Sequence, residues 1–384
     1  MKIAIIHDSL MVRGGAEQVA RCFHEAFPDA PIFTLCYNEN QTYSYFKNCN
    51  IVQTWMRFLA PNYRTLQLLF FPFGIWAMRG INIRKEYDVI LLSTTHCAKY
   101  AKVPSNALVI NYTYTPFRLA WEPNSYSEYK NAVGLKKYLF NLIVTWLKRY
   151  DLKSSKRTDY FIAMTNETAL RIKKAYNPSN EIEIINPAVN INNFKVSNSQ
   201  KDYFLIVSRL ENYKKVDLAI EVFNRNGYDL VIVGQGSKAD GLKAMANANI
   251  RFMNGLSNRE LSELYSNAKA FVFPQYEDYG ITPLEANASG VPVIAYGKGG
   301  VLDTMIPFKS KEEKCTALFF EDQTIESLLN CVEKFQTIEF DSKFIRNHAE
   351  KFSEKIFIER IRNAVNEKYD LHFKKNIDNV NNPK

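Results

Sequence analysis

Residues 273–290 read FPQYEDYGITPLEANASG. The apolar run at 270–274 (AFVFP) has the length and composition of a buried strand, a polar loop follows, and the spacing predicts a helix opening at about Pro283. Strand, loop and helix form the repeating unit of a parallel sheet covered by helices. Two acids, Glu277 and Glu285, stand seven residues apart across this unit. A helix start offers unpaired backbone N–H groups and the positive end of a dipole, a seat for phosphate. Gly280 lets the backbone come close to a ligand. Thr282, Pro283 and Glu285 also read as an N-cap, first helical residue and closing acid of a capping box, so Glu285 carries a structural reading beside the ligand one. Glu277 taken alone reads as a solvated loop carboxylate.

The same unit recurs on both sides. Strands are predicted at 203–208 (YFLIVS), 229–233, 250–253 and 291–295, and an earlier series lies at 3–6, 31–35, 89–93, 107–111 and 160–163. The chain is therefore expected to be α/β, with two Rossmann-like, doubly wound domains. Residues 190–202 (NINNFKVSNSQKD, after Val189) are polar and Asn-rich without apolar periodicity, as an interdomain linker should be. The boundaries follow as 1–190, a linker at 191–202, and 203–353. A helix is predicted at about 354–369, placed to pack back on the first domain, and the polar tail NIDNVNNPK is expected to fray. Ligands of open α/β sheets bind outside the carboxyl ends of the strands, which predicts a site in a cleft between the two domains.

Composition narrows the class. A chain of 384 residues with 46% hydrophobic content has length for two cores. Its six cysteines show no C-x-x-C pair and no His or Cys cluster has metal-ligand spacing, so reduced thiols, a cytoplasmic location and no metal are expected. The start MKIAIIHDSL is too short an apolar run for a signal peptide and reads as a first strand. The longest apolar stretch, 66–78 (LQLLFFPFGIWAM), falls short of the roughly 20 residues a spanning helix needs, and Pro72 interrupts it. The net charge of +9 suits an acidic partner. No nucleic-acid motif is present, which leaves an anionic membrane surface as the better fit.

Two further constellations carry chemistry. In SRLENYKKVD at 208–217, Arg209 follows a strand and Lys214 lies five residues on, before a helix. A guanidinium fork and an ammonium point charge together neutralise a diphosphate, although two surface cations are the plainer reading. After the first strand, Arg13, Gly14, Gly15, Ala16 and Glu17 form a Gly-Gly turn into an amphipathic helix, open either to an anion or sugar or to a simple tight turn. It lacks the G-x-G-x-x-G of a dinucleotide site. Residues 135–150 (LKKYLFNLIVTWLKRY) place Leu135, Tyr138, Leu139, Leu142, Ile143, Trp146, Leu147 and Tyr150 on one stripe flanked by Lys136, Lys137, Lys148 and Arg149. That pattern fits a core-facing helix and also a basic amphipathic helix on an anionic leaflet.

Taken together, RGGAE near the start, SRL-x-x-x-K after the linker, and EDYGITPLEA followed by GVPVIAYGKGG resemble family 4 of the retaining GT-B glycosyltransferases, in order and spacing over nearly the whole chain. Within that family the strings HD, PDAPIFTL at 28–35 and STTHCAK at 93–99 look most like bacterial mannosyltransferases that build O-antigen or other surface polysaccharide. The resemblance implies a GT-B enzyme in lipopolysaccharide biosynthesis, with GDP-mannose as the donor and a glycan or lipid-linked glycan as the acceptor. It would act at the inner face of the plasma membrane, as a peripheral protein, with no cofactor, no bound metal and no nucleic acid. By that resemblance Arg209 and Lys214 bind the donor diphosphate and act in catalysis with Glu277. Glu285 holds the ribose, Glu277 with Gly280, Ile281 and Thr282 meets the donor, and Gly14 and Gly15 approach the diphosphate. The related transferases carry a His in the motif Y-C-H-T-P, where this chain has Tyr114 between Thr113 and Thr115. Tyr114 and His96 are the expected acceptor or sugar contacts, although a tyrosine does not titrate as an imidazole does near neutral pH. The proposed chemistry keeps the anomeric configuration, with the leaving phosphate helping to take the acceptor proton. A UDP-sugar transferase of the same fold, a non-catalytic nucleotide-sugar or polysaccharide binding protein, and an epimerase or phosphorylase are the rival readings.

Overall fold

The structure is a computed structural model that describes residues 1–197 and 202–381. The chain forms two compact units, Met1–Ala188 with the segment from Phe357 onward, and Val189–Ile356.

The first unit holds seven parallel strands, β1 (Ile3–His7), β2 (Ile32–Thr34), β3 (Ile51–Gln53), β4 (Val89–Thr94), β5 (Leu108–Thr113), β6 (Tyr160–Ala163) and β7 (Glu183–Ile184), in the order β3-β2-β1-β4-β5-β6-β7. β1, β4 and β5 are buried along their whole length, which is why they read as unbroken apolar runs rather than alternating ones. Ile5 is paired with Ile32 on one side and Leu91 on the other. The strand order reverses between β1 and β4, so the residues that follow them, Asp8 and Ser9 and then Thr95 and His96, meet at the switch point.

The second unit repeats the plan with β8 (Tyr203–Val207), β9 (Leu230–Val233), β10 (Ile250–Met253), β11 (Ala268–Phe273), β12 (Val293–Tyr296) and β13 (Ala317–Phe320), in the order β10-β9-β8-β11-β12-β13. Its switch point lies between β8 and β11, where Arg209 and Glu277 follow their strands. Two doubly wound, Rossmann-like sheets are what the alternation of runs predicts. β3, β7 and β13 are the strands that it does not.

Four other segments bear on the sequence expectations. The terminal helix runs Glu354–Asn381, longer than its apolar pattern; Phe357 stacks on Phe23 at 6.0 Å and Arg362 donates to the Ala26 carbonyl. Residues 370–381 are thus helical rather than frayed, and 382–384 of the tail lie outside the described residues. Within the stretch read as a linker, Ile191 and Phe194 are buried, and Arg346 ties the carbonyls of both to that of Ala288; its residues 198–201 lie outside the described residues. The apolar stretch at 66–78 breaks into the helix Tyr63–Leu69, a wide turn at Phe70–Gly74 and the helix Ile75–Arg79. No helix among the described residues is long and apolar enough to cross a membrane.

The helix Gly134–Ser155 turns most of its stripe outward. Its buried residues are Leu147, Asp151 and Ser155, while Leu135 is 74% exposed and Tyr138, Leu139, Leu142 and Trp146 are exposed beside it. The core-facing reading holds for one edge of the stripe only, Leu147 with Ile143 and Tyr150, and a polar residue shares that buried side of the helix. The fully buried Asp151 accepts from Tyr100, Trp121 and Tyr176 at 2.8, 2.7 and 2.7 Å and pairs with Lys99 at 2.9 Å. A buried carboxylate must be met by donors, and satisfying it turns Leu147, Ile143 and Tyr150 inward on the same side while Leu135, Tyr138, Leu139, Leu142 and Trp146 stay exposed.

Candidate active site

In the second unit, β8 ends at Val207 and the chain crosses Arg209 to the short turn Asn212–Lys214, whose last residue tucks inward. The Lys214 ammonium forms an ion pair with the Glu277 carboxylate. Arg209 is exposed and its guanidinium donates to the Tyr213 hydroxyl, and Lys214 lies 5.0 Å from the centre of the same ring. Arg209 and Lys214, on one loop, gather around Tyr213, which sequence reasoning missed, and Glu277 joins them from a second loop through Lys214. Gly299 and Gly300 hold the Glu277 loop in place. The Gly300 N–H donates to the Glu277 carbonyl at 2.8 Å, and a Cβ on either glycine would stand 2.4 Å from a carbonyl oxygen of Glu277 or Asp278. Only glycine permits that approach. At the end of β11, Gln275 is buried and its Oε1 has no partner among the described residues, another missed candidate for a ligand hydroxyl.

The helix beyond this loop is Ile281–Ala288, and its N-cap is Gly280 at φ +93°, in the left-handed region. It opens two residues before Pro283, whose missing N–H would have had no intrahelical partner in the first turn anyway. Thr282 is thus inside the helix, Glu285 is beyond the capping positions, and the capping-box reading of Glu285 is corrected. Its Oε2 instead accepts from the Tyr265 hydroxyl at 2.8 Å. Burial pushes the Glu285 carboxyl above its usual range, against the pull of that hydrogen bond. Ile281 and Thr282 are the first residues of this helix, where backbone N–H groups have no acceptor within the helix.

In the first unit, Gly14 caps the helix Gly15–Ala26, and Gly15 is its first residue. A Cβ on Gly14 would lie 2.6 Å from Oε2 of Glu17, so the buried Glu17 carboxylate folds over the turn that the sequence offers to a diphosphate. Burial pushes its carboxyl up to about 7, opposed by the N–H groups of Glu17 and Gly14.

Beneath it, Asp8 gathers the loop that follows β4. Its two oxygens accept the N–H of Thr95, His96, Cys97 and Ala98 at 2.6 to 3.0 Å, and His96 Nδ1 lies 2.8 Å away. Burial alone would raise this carboxyl; the charge and ring hydrogen bond of His96, with His7 and the Ala98 N–H, outweigh it and hold Asp8 ionised well below the usual carboxylate range. Tyr114 is buried, and its hydroxyl donates to the Ala16 carbonyl at 3.1 Å. That hydrogen being used, Ser93 must donate to Tyr114 and His7 Nδ1 to Ser93, each at 2.8 Å. His7 is then neutral with a bare Nε2, in keeping with burial that pushes it down to about 4.

A cavity of about 370 Å³ opens over Asp8, lined by His96, Tyr63, Phe70, Phe117, Arg118 and Tyr126 among others. Asp8, His96 and Cys97 also bring three potential metal-ligand atoms within 4.8 Å of one another. They fit a metal poorly. The Asp8 oxygens are taken up by N–H donors, and burial, with Asp8 beside it, raises the Cys97 thiol well above its ordinary value, whereas a metal requires the thiolate.

Residues 190–356 match the family described as "Glycosyl transferases group 1". With the two Rossmann-like sheets and the superposition on solved structures, that match places the chain in the GT-B fold. Among relatives, the chain is 33% identical over 158 residues to the O-antigen chain mannosyltransferase RfbU of Salmonella typhimurium, covering 38% of this chain and 44% of RfbU. It is 22% identical to the alpha-1,3/1,6-mannosyltransferase ALG2 of Saccharomyces cerevisiae, over 82% of this chain and 73% of ALG2. It is 27% identical to the glycogen synthase of Mycoplasma mobile over 45% of this chain, and that match spans only 39% of the glycogen synthase. Among solved structures, the lipopolysaccharide outer core galactosyltransferase WaaB in its apo form superposes with a TM-score of 0.67 at 16% identity, over 96% of this chain and all of WaaB. HepE of Anabaena in complex with UDP gives 0.66 at 15% identity, with the same coverage of both chains.

Proposed function

We propose that this chain is a retaining mannosyltransferase that moves mannose from GDP-mannose to a glycan or lipid-linked glycan acceptor in the building of bacterial surface polysaccharide, without a bound metal. The observation that carries it is the Lys214–Glu277 pair, with Arg209 on the neighbouring Tyr213 and a helix opening at Ile281 four residues after Glu277: two cations and a helix start to hold a diphosphate, and one carboxylate to meet the sugar attached to it. Lys214 is neutralised by Glu277. A diphosphate competes for the ammonium and frees the carboxylate to face the positive charge that builds on the anomeric carbon. Glu285, its charge opposed by burial, gains by accepting from ribose hydroxyls, with Tyr265 holding its other side. Mannose is preferred on the likeness to RfbU and ALG2; the UDP complex of the HepE structure supplies the alternative donor base. Thermal unfolding in the presence of a panel of nucleotide sugars tests this, since a ligand of the folded state raises stability by mass action. GDP-mannose is expected to stabilise most, and Arg209→Ala and Lys214→Ala to abolish the shift. A shift with UDP-sugars alone would replace the donor, and a native shift in both variants would overturn the site.

A further inference from the structure

We propose that Tyr213 is a positioning residue of the donor site, a neutral clasp that holds the Arg209 guanidinium ready for a nucleoside diphosphate without cancelling its charge. The inference rests on the donor-site reading above and adds the residue that sets that site's exposed cation in place. Both residues stand on the loop after β8, which its neighbours pin. Gly234 and Gly236, after β9, come so close that a Cβ would stand 1.8 Å from the Ser208 carbonyl oxygen and 2.3 Å from that of Leu210. The Leu210 N–H donates to the Gln235 carbonyl at 2.9 Å, and the Leu210 carbonyl accepts the Lys238 N–H at 3.0 Å. Glu211 accepts from both the N–H and the hydroxyl of Ser237, at 2.9 and 2.6 Å. Beyond Lys214 the loop ends at Lys215 with φ +52°, a left-handed conformation that a residue with a Cβ keeps only where its surroundings hold it.

On this fixed loop Arg209 and Tyr213 lie four residues apart, and both are exposed. The guanidinium donates to the Tyr213 hydroxyl, with its carbon 5.8 Å from the ring centre. Among the described residues no carboxylate comes within ion-pair distance of Arg209, so a phenol is what orders it. A surface arginine otherwise samples many rotamers and gives up that freedom when it grips a ligand. A carboxylate would hold it as well but would also neutralise it, as Glu277 does Lys214, and an arriving anion would first have to displace that partner. A phenol oxygen accepts the hydrogen bond and carries no net charge, so Arg209 stays ordered and keeps its full attraction for phosphate. The Lys214 ammonium lies over the same ring, 5.0 Å from its centre, so one side chain spaces both cations. Tyr213 makes and breaks no covalent bond in this role.

The test is a double-mutant cycle on the full chain, with binding of GDP, and of UDP in parallel, read by titration calorimetry. Tyr213→Phe keeps the ring beside Lys214 and removes only the hydroxyl. It is expected to weaken binding of whichever nucleotide the native chain takes by about three- to tenfold, with a melting temperature near the native one. Arg209→Ala is expected to weaken binding by about tenfold or more. Adding Tyr213→Phe to Arg209→Ala should then change it by less than about twofold, because the hydroxyl has no guanidinium left to hold. A merely structural role would give the same loss in both backgrounds. Binding by Tyr213→Phe within about twofold of native, or an equal loss with and without Arg209, would overturn the proposal. If Arg209→Ala binds as the native chain does, or the native chain binds neither nucleotide, the donor-site reading fails and the inference falls with it. A loss in Arg209→Ala without one in Tyr213→Phe sinks the inference alone.

Discussion

At the scale of single residues, the chain keeps its carboxylates in unlike states. Asp8 is held in its charged form by His96 together with peptide N–H groups, whereas Glu17, nine residues on, is buried with too few partners to hold it charged. The consequence for stability has a definite sign. The Glu17 carboxyl is raised from 4.5 to about 7 in the folded chain, so between those values the native state keeps a proton that the unfolded state has released. Stability therefore falls as pH rises through this window and is lowest above it, by on the order of 3 kcal/mol for a fully expressed shift. Glu17→Gln removes the cost and can still accept from the helix start. Its melting temperature is expected to exceed the native one at pH 8 and to match it near pH 4, and an equal difference at both pH values would contradict this account. None of it was legible in RGGAE, which showed the turn but not that its own acid would fill it. The partners Tyr213 and Tyr265 were hidden in different ways. Tyr213 stands in the quoted motif without a polar pattern to mark it. Tyr265 reaches Glu285 across twenty residues of chain, a distance that local spacing does not encode.

At the scale of elements, strong periodicity was readable and weak or short signals were not. β1, β4, β5, β8, β9 and β11 are buried apolar runs and stood out. β3 and β7 have three and two residues, and β13 follows the charged stretch KEEKCT. The helix Gly134–Ser155 shows an apolar stripe divided by the fold: its eight apolar positions fit a buried or an outward face, and Leu147, Ile143 and Tyr150 go in beside the Asp151 network while the other five stay out. Removing one partner of a buried ion pair leaves an uncompensated charge, which costs about 3–5 kcal/mol. Asp151→Ala, which strands Lys99, is expected to lower stability by that amount in denaturant titration, while Lys148→Ala on the outer face should change it little. A loss under about 1 kcal/mol for Asp151→Ala would show that the network does not set the helix.

At the scale of the whole molecule, the two units repeat one topology and divide their chemistry. The second unit collects cations and a helix start suited to a nucleoside diphosphate; the first holds an aromatic cavity over an Asp–His pair and shows an apolar, basic helix to its surroundings. Leu135, Leu142 and Trp146 exposed beside Lys136 and Lys148, in a chain of net charge +9, lead us to propose contact with an anionic bilayer, where a lipid-linked acceptor would be met. Co-sedimentation with anionic vesicles is expected, weakened by salt and by the pair Leu142→Ser and Trp146→Ser; binding that ignores both would point to another surface. The central claim is that Glu277 serves the sugar while Arg209 and Lys214 serve the diphosphate. Its most direct measurement compares Glu277→Gln with the native chain in steady-state transfer and in binding of free nucleoside diphosphate. The variant is expected to lose on the order of a hundredfold or more in kcat and to bind the free diphosphate at least as tightly, because Lys214 is released from its pair. Turnover at the native rate would contradict the assignment of the site.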